Sequence, residues 1–320
     1  MSASPATARP RRRRGEWAGL TLVLVLLVAA FGAITEHFLS WTTAVAIANN
    51  APEALIVAAG MTLVVVTGGI DLSVGSVLAL SAAVMGTLLT RAGIPLPLAA
   101  AGAIATGAAC GFINGWTTTR WRLPSFVVTL AMLEAARGAT YLVTQSQTLY
   151  LGTAVDPITV PVAAGIRLPI LTAIAIVIGG QLLLDRMVLG RHLLAVGANS
   201  EAARLAGIDP GRVRTAAFTM SGAAAGLAAV LQAGRLAASD PNAGIGLELE
   251  AIAAVVIGGA SLAGGRGTIA GAALGALVIA VLGAGLAHLG VQEPTRRIVT
   301  GLVIAGAAIA DYYRRRTESA

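Results

Sequence analysis

Lysine is missing from this chain of 320 residues, and charged side chains of every kind are scarce. All 22 basic residues are arginine, which we attribute to genome composition rather than to function. Charged residues make up 12% of the chain, against about 25% in soluble proteins, and hydrophobic residues make up 56%. A soluble enzyme would need amphipathic surface helices, and almost none of the apolar runs has a charged face. The composition therefore predicts a membrane protein.

Motifs of catalysis and of metal binding are also absent from the sequence. The single cysteine, Cys110, lies in an apolar run, which excludes a disulfide framework and a cysteine metal cluster. There is no GxxxxGK[ST] loop for ATP, no HExxH and no GxSxG, and the three histidines are scattered. We therefore predict no enzyme activity, no catalytic residue, no metal and no cofactor held by this chain. The net charge of +7 would suggest nucleic acid in a soluble domain, but these arginines flank apolar runs, so we expect membrane lipid and no nucleic acid.

Long apolar runs recur along the chain, and they are continuous rather than alternating, which predicts helices and excludes a β-barrel. The fold class is an all-α polytopic membrane protein with about ten transmembrane segments. We place these segments at residues 17–35, 44–67, 74–90, 96–117, 124–143, 168–185, 214–233, 248–260, 268–288 and 297–312. The eighth is short for a full crossing. Small-residue pairs such as Gly222-x-x-x-Gly226 favour tight packing inside one bundle over a dimer seam.

Arginine positions indicate the orientation. Most of the 22 arginines fall in the N-terminal tail, in alternate connections and in the C-terminal tail, which places both termini in the cytoplasm. We predict a cytoplasmic tail over 1–15, a single transmembrane domain over 16–313 and a second cytoplasmic tail over 314–320. The first apolar run has no cleavage motif, so we interpret it as a retained helix.

The polar loop Gly190–Arg214 carries charged groups that lipid cannot solvate. Asn199 is a good helix N-cap, Glu201 favours the positive end of a helix, and the alanines that follow have high helix propensity. Gly207 supplies a left-handed stop, and Pro210 is expected to prevent continuation. The loop therefore predicts a surface helix of about two turns, gripped by a cytoplasmic partner.

Two glycine-rich breaks interrupt the apolar runs and resemble each other. GGIDLSVG begins at Gly68 and GGASLAGG begins at Gly258, each after a Val/Ile run. Repeats around broken helices are common in transporters, where unwound backbone lines a cavity. For Asp71 two interpretations stay open, a cap for the helix that follows or a substrate contact. The candidates for the pathway or for helix breaks are Asn49, Asn50, Glu53, Gly68, Gly69, Asp71, Ser73, Gly75, Gly258, Gly259 and Ser261.

Two charged residues lie inside the fifth predicted segment. Glu134 and Arg137 are three residues apart and so share one helix face. We predict an intramembrane ion pair, because opposite charges soften the cost of burial. A proton relay is the alternative, and it would need more acids than the other segments offer.

Several of these motifs together resemble one family. Met61–Gly86 contains the GGIDLSVG break, and Gly111–Gly138, Gly190–Ile208 and Leu247–Leu277 carry further similar stretches. They are similar to permease subunits of ribose- and monosaccharide-type ABC importers, in the branched-chain/ribose permease superfamily. The resemblance covers nearly the whole chain after the first segment.

The resemblance implies an ABC importer permease fold in the bacterial inner membrane, with a cytoplasmic coupling loop over residues 186–214. It implies a cytoplasmic ABC ATPase that binds the ATP, an extracytoplasmic solute-binding protein that delivers a monosaccharide, and a second permease copy in a homodimer or heterodimer. Related permeases for a nucleoside, an autoinducer or a polyol, and an ion-driven carrier, are the alternatives. The ATPase-coupling residues that it implies are Asn199, Glu201, Ala202, Ala203, Arg204 and Gly207.

Overall fold

The computed structural model describes residues 11–303 and 305–306, so most of both predicted tails and the end of the tenth predicted segment lie outside it. The described part is built from twelve helices in chain order. These are α1 Arg11–Ile34, α2 Trp41–Asn50, α3 Pro52–Val65, α4 Val74–Thr90, α5 Leu96–Arg120, α6 Ser125–Thr144, α7 Leu168–Arg186, α8 Val188–Ala198, α9 Ser200–Leu205, α10 Pro210–Leu236, α11 Leu247–Ile257 and α12 Ile269–His288. Residues 293–303 are helical as well.

Short strands and a 3-10 helix occupy the connections between helices. β1 Leu149–Tyr150 pairs antiparallel with β4 Ala238–Ser239, and a 3-10 helix spans Gly152–Ile158. β2 Pro161–Ala163 pairs with β3 Ile166–Arg167. The fold is therefore all-α and polytopic, with sheet confined to two-stranded pairs in the described residues.

Helix length separates full crossings from partial ones. Among the described residues, five helices (α5, α6, α7, α10 and α12) are long and apolar enough to cross a membrane. The number is six if α2 and α3, which meet at a 44° bend, form one broken span. The 11 residues of α11 cover only about 16 Å, half of a hydrocarbon core. The count of ten crossings stays a prediction.

The first broken segment lies at the centre of the bundle. α3 is apolar on every side, and nearly all of its residues are buried, as expected for a helix surrounded by others. α10 packs against α3, α4 and α5, while α11 and α12 cover α3 from other directions. The break over residues 66–73 is therefore enclosed by protein.

Glycines set the closest helix crossing. Gly107, Gly111 and Gly115 are spaced four residues apart on α5 and face Gly222 and Gly226 of α10. A Cβ on Gly107 would fall on the Gly222 carbonyl, and a Cβ on Gly222 would fall on the Gly107 carbonyl. Backbones can approach this closely only where small residues meet. The Gly222-x-x-x-Gly226 pair thus packs inside the bundle, as predicted.

The arginines separate between the two ends of the bundle. At the end that carries α9, Arg120 shares a groove with Asp209 and Arg212. At the opposite end, the Arg91 Nη1 atom donates to the Val143 carbonyl at 3.2 Å, and Arg235 pairs with Glu53. This separation agrees with the predicted alternation of the connections. The side of the membrane on which each end lies stays a prediction.

The predicted polar loop is more helical than expected. α8 is an amphipathic helix that buries Leu193 and Val196 in a hydrophobic cluster, and it was not foreseen. Pro210 was expected to prevent a helix, but it is the first residue of α10. Proline suits this position because the first helical N–H needs no intrahelical partner. Asp209 caps the helix by accepting from the N–H groups of Gly211 and Arg212.

Candidate coupling and translocation site

The helix α9 is a short, capped and exposed element on the end of the bundle. The Asn199 Oδ1 atom accepts from the Glu201 N–H at 3.1 Å and from the Ala202 N–H at 3.0 Å. Gly207 has a φ of +84° and turns the chain away from the helix. Within α9, only Ala203 is buried, in the same cluster as Leu193 and Val196. The cap and stop predicted from the sequence are therefore confirmed, while their coupling role is a matter for proposal.

The outward surface of α9 is mixed in character. Arg204 donates to both carboxylate oxygens of Glu201, at 2.6 and 3.1 Å. This contact holds the pKa of Glu201 below its usual value. Leu205 exposes 76% of its surface beside this pair, and it was missed from the sequence. An apolar residue in an otherwise polar loop was the signal that could have identified it, because such residues mark protein contacts.

Backbone contacts join α8 to both glycine-rich breaks. A Cβ on Gly197 would overlap the Val66 carbonyl and approach the Gly265 nitrogen. The Gly265 N–H donates to the same Val66 carbonyl at 2.8 Å. Gly68 and Gly264 lie in contact at the same point. We call this meeting of residues 66–68, 197–198 and 263–265 the glycine junction.

The two breaks share one helix-ending geometry. After α3, the N–H groups of Gly68 and Gly69 donate to the carbonyls of Val65 and Val64. After α11, the N–H groups of Gly259 and Ala260 donate to the carbonyls of Val256 and Val255 in the same pattern. Both are Schellman motifs with a left-handed glycine, at φ +79° for Gly68 and +85° for Gly259.

The internal resemblance is thus real, but its alignment needs a correction of one residue. Gly68 corresponds to Gly259 rather than to Gly258, because the left-handed position, not the letter match, defines the equivalence. Gly258 has a packing role, since a Cβ there would fall on the Gly271 backbone of α12. Ser261 is buried in the second break, where its N–H donates to the Arg266 carbonyl.

Asp71 lies in a buried polar cluster rather than in an open cavity. Its side chain is 1% exposed; Oδ1 accepts from the Ser73 N–H at 3.0 Å and from the Ser73 Oγ at 2.7 Å. The Ser221 hydroxyl of α10 donates to Oδ2 at 3.0 Å, and the Asn114 amide of α5 donates to the Ser73 Oγ at 2.9 Å. Ser73 therefore does not cap α4 as predicted, because its hydroxyl is directed to Asp71. Asn114 and Ser221 were missed, although polar residues inside apolar runs were the available signal.

The first break is also fixed to α6. The Ser125 hydroxyl accepts from the Ile70 N–H at 3.0 Å, and the Thr129 hydroxyl accepts from the Leu72 N–H at 3.1 Å. On the other side, Gly75 allows residues 244–248 to approach, because a Cβ there would overlap the Gly244 carbonyl. The break is thus a fixed element whose free backbone groups are satisfied by side chains of α6.

Asn49, Asn50 and Glu53 have partners at the end opposite α9. Asn49 donates to the Gly165 carbonyl at 3.0 Å and accepts from the Arg167 N–H. Glu53 is buried and accepts from the Arg235 Nε at 2.9 Å, while Asn50 accepts from the Arg235 Nη1 at 3.2 Å. The sequence called for a polar lumen or partners at these residues, and the structure supplies partners.

The ion pair predicted between Glu134 and Arg137 is not formed in the described part of the chain. The Arg137 Nη1 atom donates instead to the carbonyls of Pro241 and Ala243, at 2.6 and 2.9 Å. Chain reversal after β4 brings these carbonyls to α6, and sequence spacing along one helix could not reveal a contact so distant in sequence. Glu134 is left on the exposed side of α6.

With this geometry described, comparisons with known proteins decide the family. Residues 43–308 match the family described as branched-chain amino acid transport system / permease component. The chain belongs to this permease family. The permease is 35% identical to the ribose import permease protein of Escherichia coli strain K12, over 91% of this chain and 92% of the relative.

Other relatives of the permease carry names of different sugars. It is 36% identical to the fructose import permease protein of Rhizobium meliloti, over 92% of this chain and 85% of that one. It is 33% identical to the L-arabinose ABC transporter permease protein of Azospirillum brasilense, over 100% of this chain and 96% of that one. No solved structure matches the chain. These findings confirm the family of monosaccharide ABC importer permeases that the motifs predicted.

Proposed function

We propose that this permease translocates a monosaccharide as the membrane subunit of an ATP-binding cassette importer. The observation that carries the proposal is the glycine junction, which connects the exposed helix α9 to both broken segments of the bundle. The relatives named above are permeases for ribose, fructose and L-arabinose, which supports a simple sugar as cargo.

The contacts suggest how movement at α9 would reach the bundle. α9 is seated through Ala203 on the cluster that includes α8, and α8 meets the breaks backbone to backbone. Backbone contacts without intervening side chains transmit displacement with little slack, because no rotamer can absorb it. A rigid shift of α9 would therefore move residues 66–68 and 263–265 together, which is what alternating access between two states requires.

The proposed partners follow from the same arrangement. A separate cytoplasmic ATPase would bind the ATP and dock on α9 through Leu205 and the Glu201–Arg204 pair. An extracytoplasmic binding protein would deliver the sugar at the end opposite α9, and a second permease subunit would complete the pathway. The proposal places the complex in the bacterial inner membrane with both termini in the cytoplasm.

Uptake into sealed vesicles tests this proposal. We expect the permease, reconstituted with its ATPase and binding protein, to accumulate at least one of radiolabelled D-ribose, D-fructose, L-arabinose and D-allose. Accumulation should require ATP on the α9 side and should persist when an uncoupler collapses the proton gradient. Uptake without the ATPase that an uncoupler stops would instead show a secondary carrier and would refute the proposal.

The stop of α9 supplies a prediction for coupling. The Gly207→Val variant should lose most sugar-stimulated ATPase activity, on the order of tenfold, because a β-branched residue is strained at a φ of +84°. The Gly207→Asn variant should stay near wild type, because asparagine tolerates the left-handed conformation and a Cβ at this position meets nothing within 4 Å. ATPase stimulation by the loaded binding protein is the measurement. Equal activity of a well-expressed Gly207→Val protein would contradict the coupling role.

A further inference from the structure

Glu134 is the charged residue on the exposed face of a spanning helix that the contacts above leave unexplained. It lies midway along the 20 residues of α6, about 15 Å from either end. Its side chain has neither a hydrogen bond nor an ion pair to any residue that the structure describes, and Arg137 one turn away is held by two carbonyls. A carboxylate at this depth is costly in hydrocarbon.

The surface around Glu134 differs from a lipid-facing surface. Toward the α9 end, the exposed side of α6 carries the bulky residues Phe126, Val127 and Leu130. Around the carboxylate it changes to the small exposed residues Ala131, Ala135 and Gly138. A Cβ on Gly138, one turn beyond Glu134, would meet no atom within 4 Å. The open space thus lies beside the unpaired charge.

α6 also connects this surface to the moving parts of the proposed mechanism. Ser125 and Thr129 accept from the backbone of the first break, on the opposite side of the helix from Glu134. Displacement of the break would therefore be passed to α6 through two hydrogen bonds. One helix separates the Glu134 face from the break that the glycine junction contacts.

We propose that the α6 face around Glu134 lines the aqueous pathway, and that the Glu134 carboxylate accepts hydrogen bonds from hydroxyl groups of the monosaccharide in transit. A carboxylate accepts strongly from hydroxyl donors, and a polyhydroxylated neutral solute offers several of them. A pathway filled with water also removes the cost of the mid-span charge. The sugar contact rests on the proposed function, whereas the aqueous environment of Glu134 does not.

Thiol accessibility tests the aqueous environment without any sugar. In a Cys110→Ala background, we would compare Glu134→Cys with Ile178→Cys, which replaces an equally central and exposed residue of α7. A charged methanethiosulfonate reagent requires water and a thiolate, so Glu134→Cys in the assembled transporter should react at least about tenfold faster. Equal, slow rates at both positions would show that Glu134 faces lipid and would overturn the proposal.

Uptake kinetics test the sugar contact. With whichever of the four labelled sugars the wild type transports, Glu134→Leu should raise KM or lower uptake about tenfold, because a charge-assisted hydrogen bond is lost. Glu134→Gln, which keeps an acceptor, should have a smaller effect. Basal ATPase activity should not change in either variant. Wild-type kinetics in both variants would overturn the sugar contact, while failure of the wild type to transport any of the four would refute the proposed function and leave the thiol result standing.

Discussion

The Gly197→Val variant is expected to lose ATP-driven uptake almost completely. Any side chain at this position would overlap the Val66 carbonyl and crowd the Gly265 nitrogen. Backbone cannot rotate aside as a flexible side chain does, so one of the three segments must shift and the Gly265–Val66 hydrogen bond must lengthen or break. Overpacking of this kind costs about 1–3 kcal/mol, and contact with backbone places it at the upper end of that range.

The measurements for this variant must separate coupling from folding. Detergent-solubilised protein would be melted to give Tm, and the fraction that remains monodisperse would be reconstituted for uptake and ATPase assays. Gly179→Val on α7 is the matched control, because a Cβ there meets nothing within 4 Å and the variant should transport as the wild type does. Full uptake by Gly197→Val would show that the glycine junction does not transmit movement from α9.

The second large effect is expected at the end opposite α9. The Arg235→Met variant keeps most of the side-chain length but leaves the Glu53 carboxylate buried without its cation. Removal of one partner from a buried pair costs about 3–5 kcal/mol, because the remaining charge is not solvated. We therefore expect a clear fall in the Tm of the permease in detergent.

Two further variants show whether the burial of the charge is the cause. The double variant Arg235→Met with Glu53→Gln removes the charge itself, so it should recover most of the lost Tm. The exposed Glu201–Arg204 pair is the control, and Arg204→Met should leave Tm unchanged because both side chains lie in solvent. A Tm for Arg235→Met equal to that of Arg204→Met would contradict the structural role of the buried pair.

The elements that the sequence predicted well are those with local causes. The cap at Asn199 and the stop at Gly207 depend on side chains and φ angles within a few residues, so the letters suffice. Apolar runs of sufficient length must form helices in lipid, because no water is available to satisfy free backbone groups. The prediction for Pro210 failed because the same residue that stops one helix is also favoured at the start of the next.

The parts of the candidate site that the sequence could not predict depend on contacts between distant segments. Arg137 was paired with Glu134 by helical spacing, but two carbonyls more than 100 residues away hold it instead. Ser221 and Asn114 looked like isolated polar residues until chain folding brought them to the Asp71 cluster. No periodicity in a single sequence contains that information.

The sequence by itself therefore determined the membrane class, the family through its motifs, and the short capped helix α9. Only the tertiary structure decided that α8 joins both glycine-rich breaks at one point, that Asp71 is enclosed, and that Glu134 is not. Hydrophobicity and local conformational preference act over one or two helical turns, and they are legible in the order of residues. The pairing of buried polar groups and the meeting of glycine backbones depend on which helices become neighbours, and that is settled only when the whole bundle has packed.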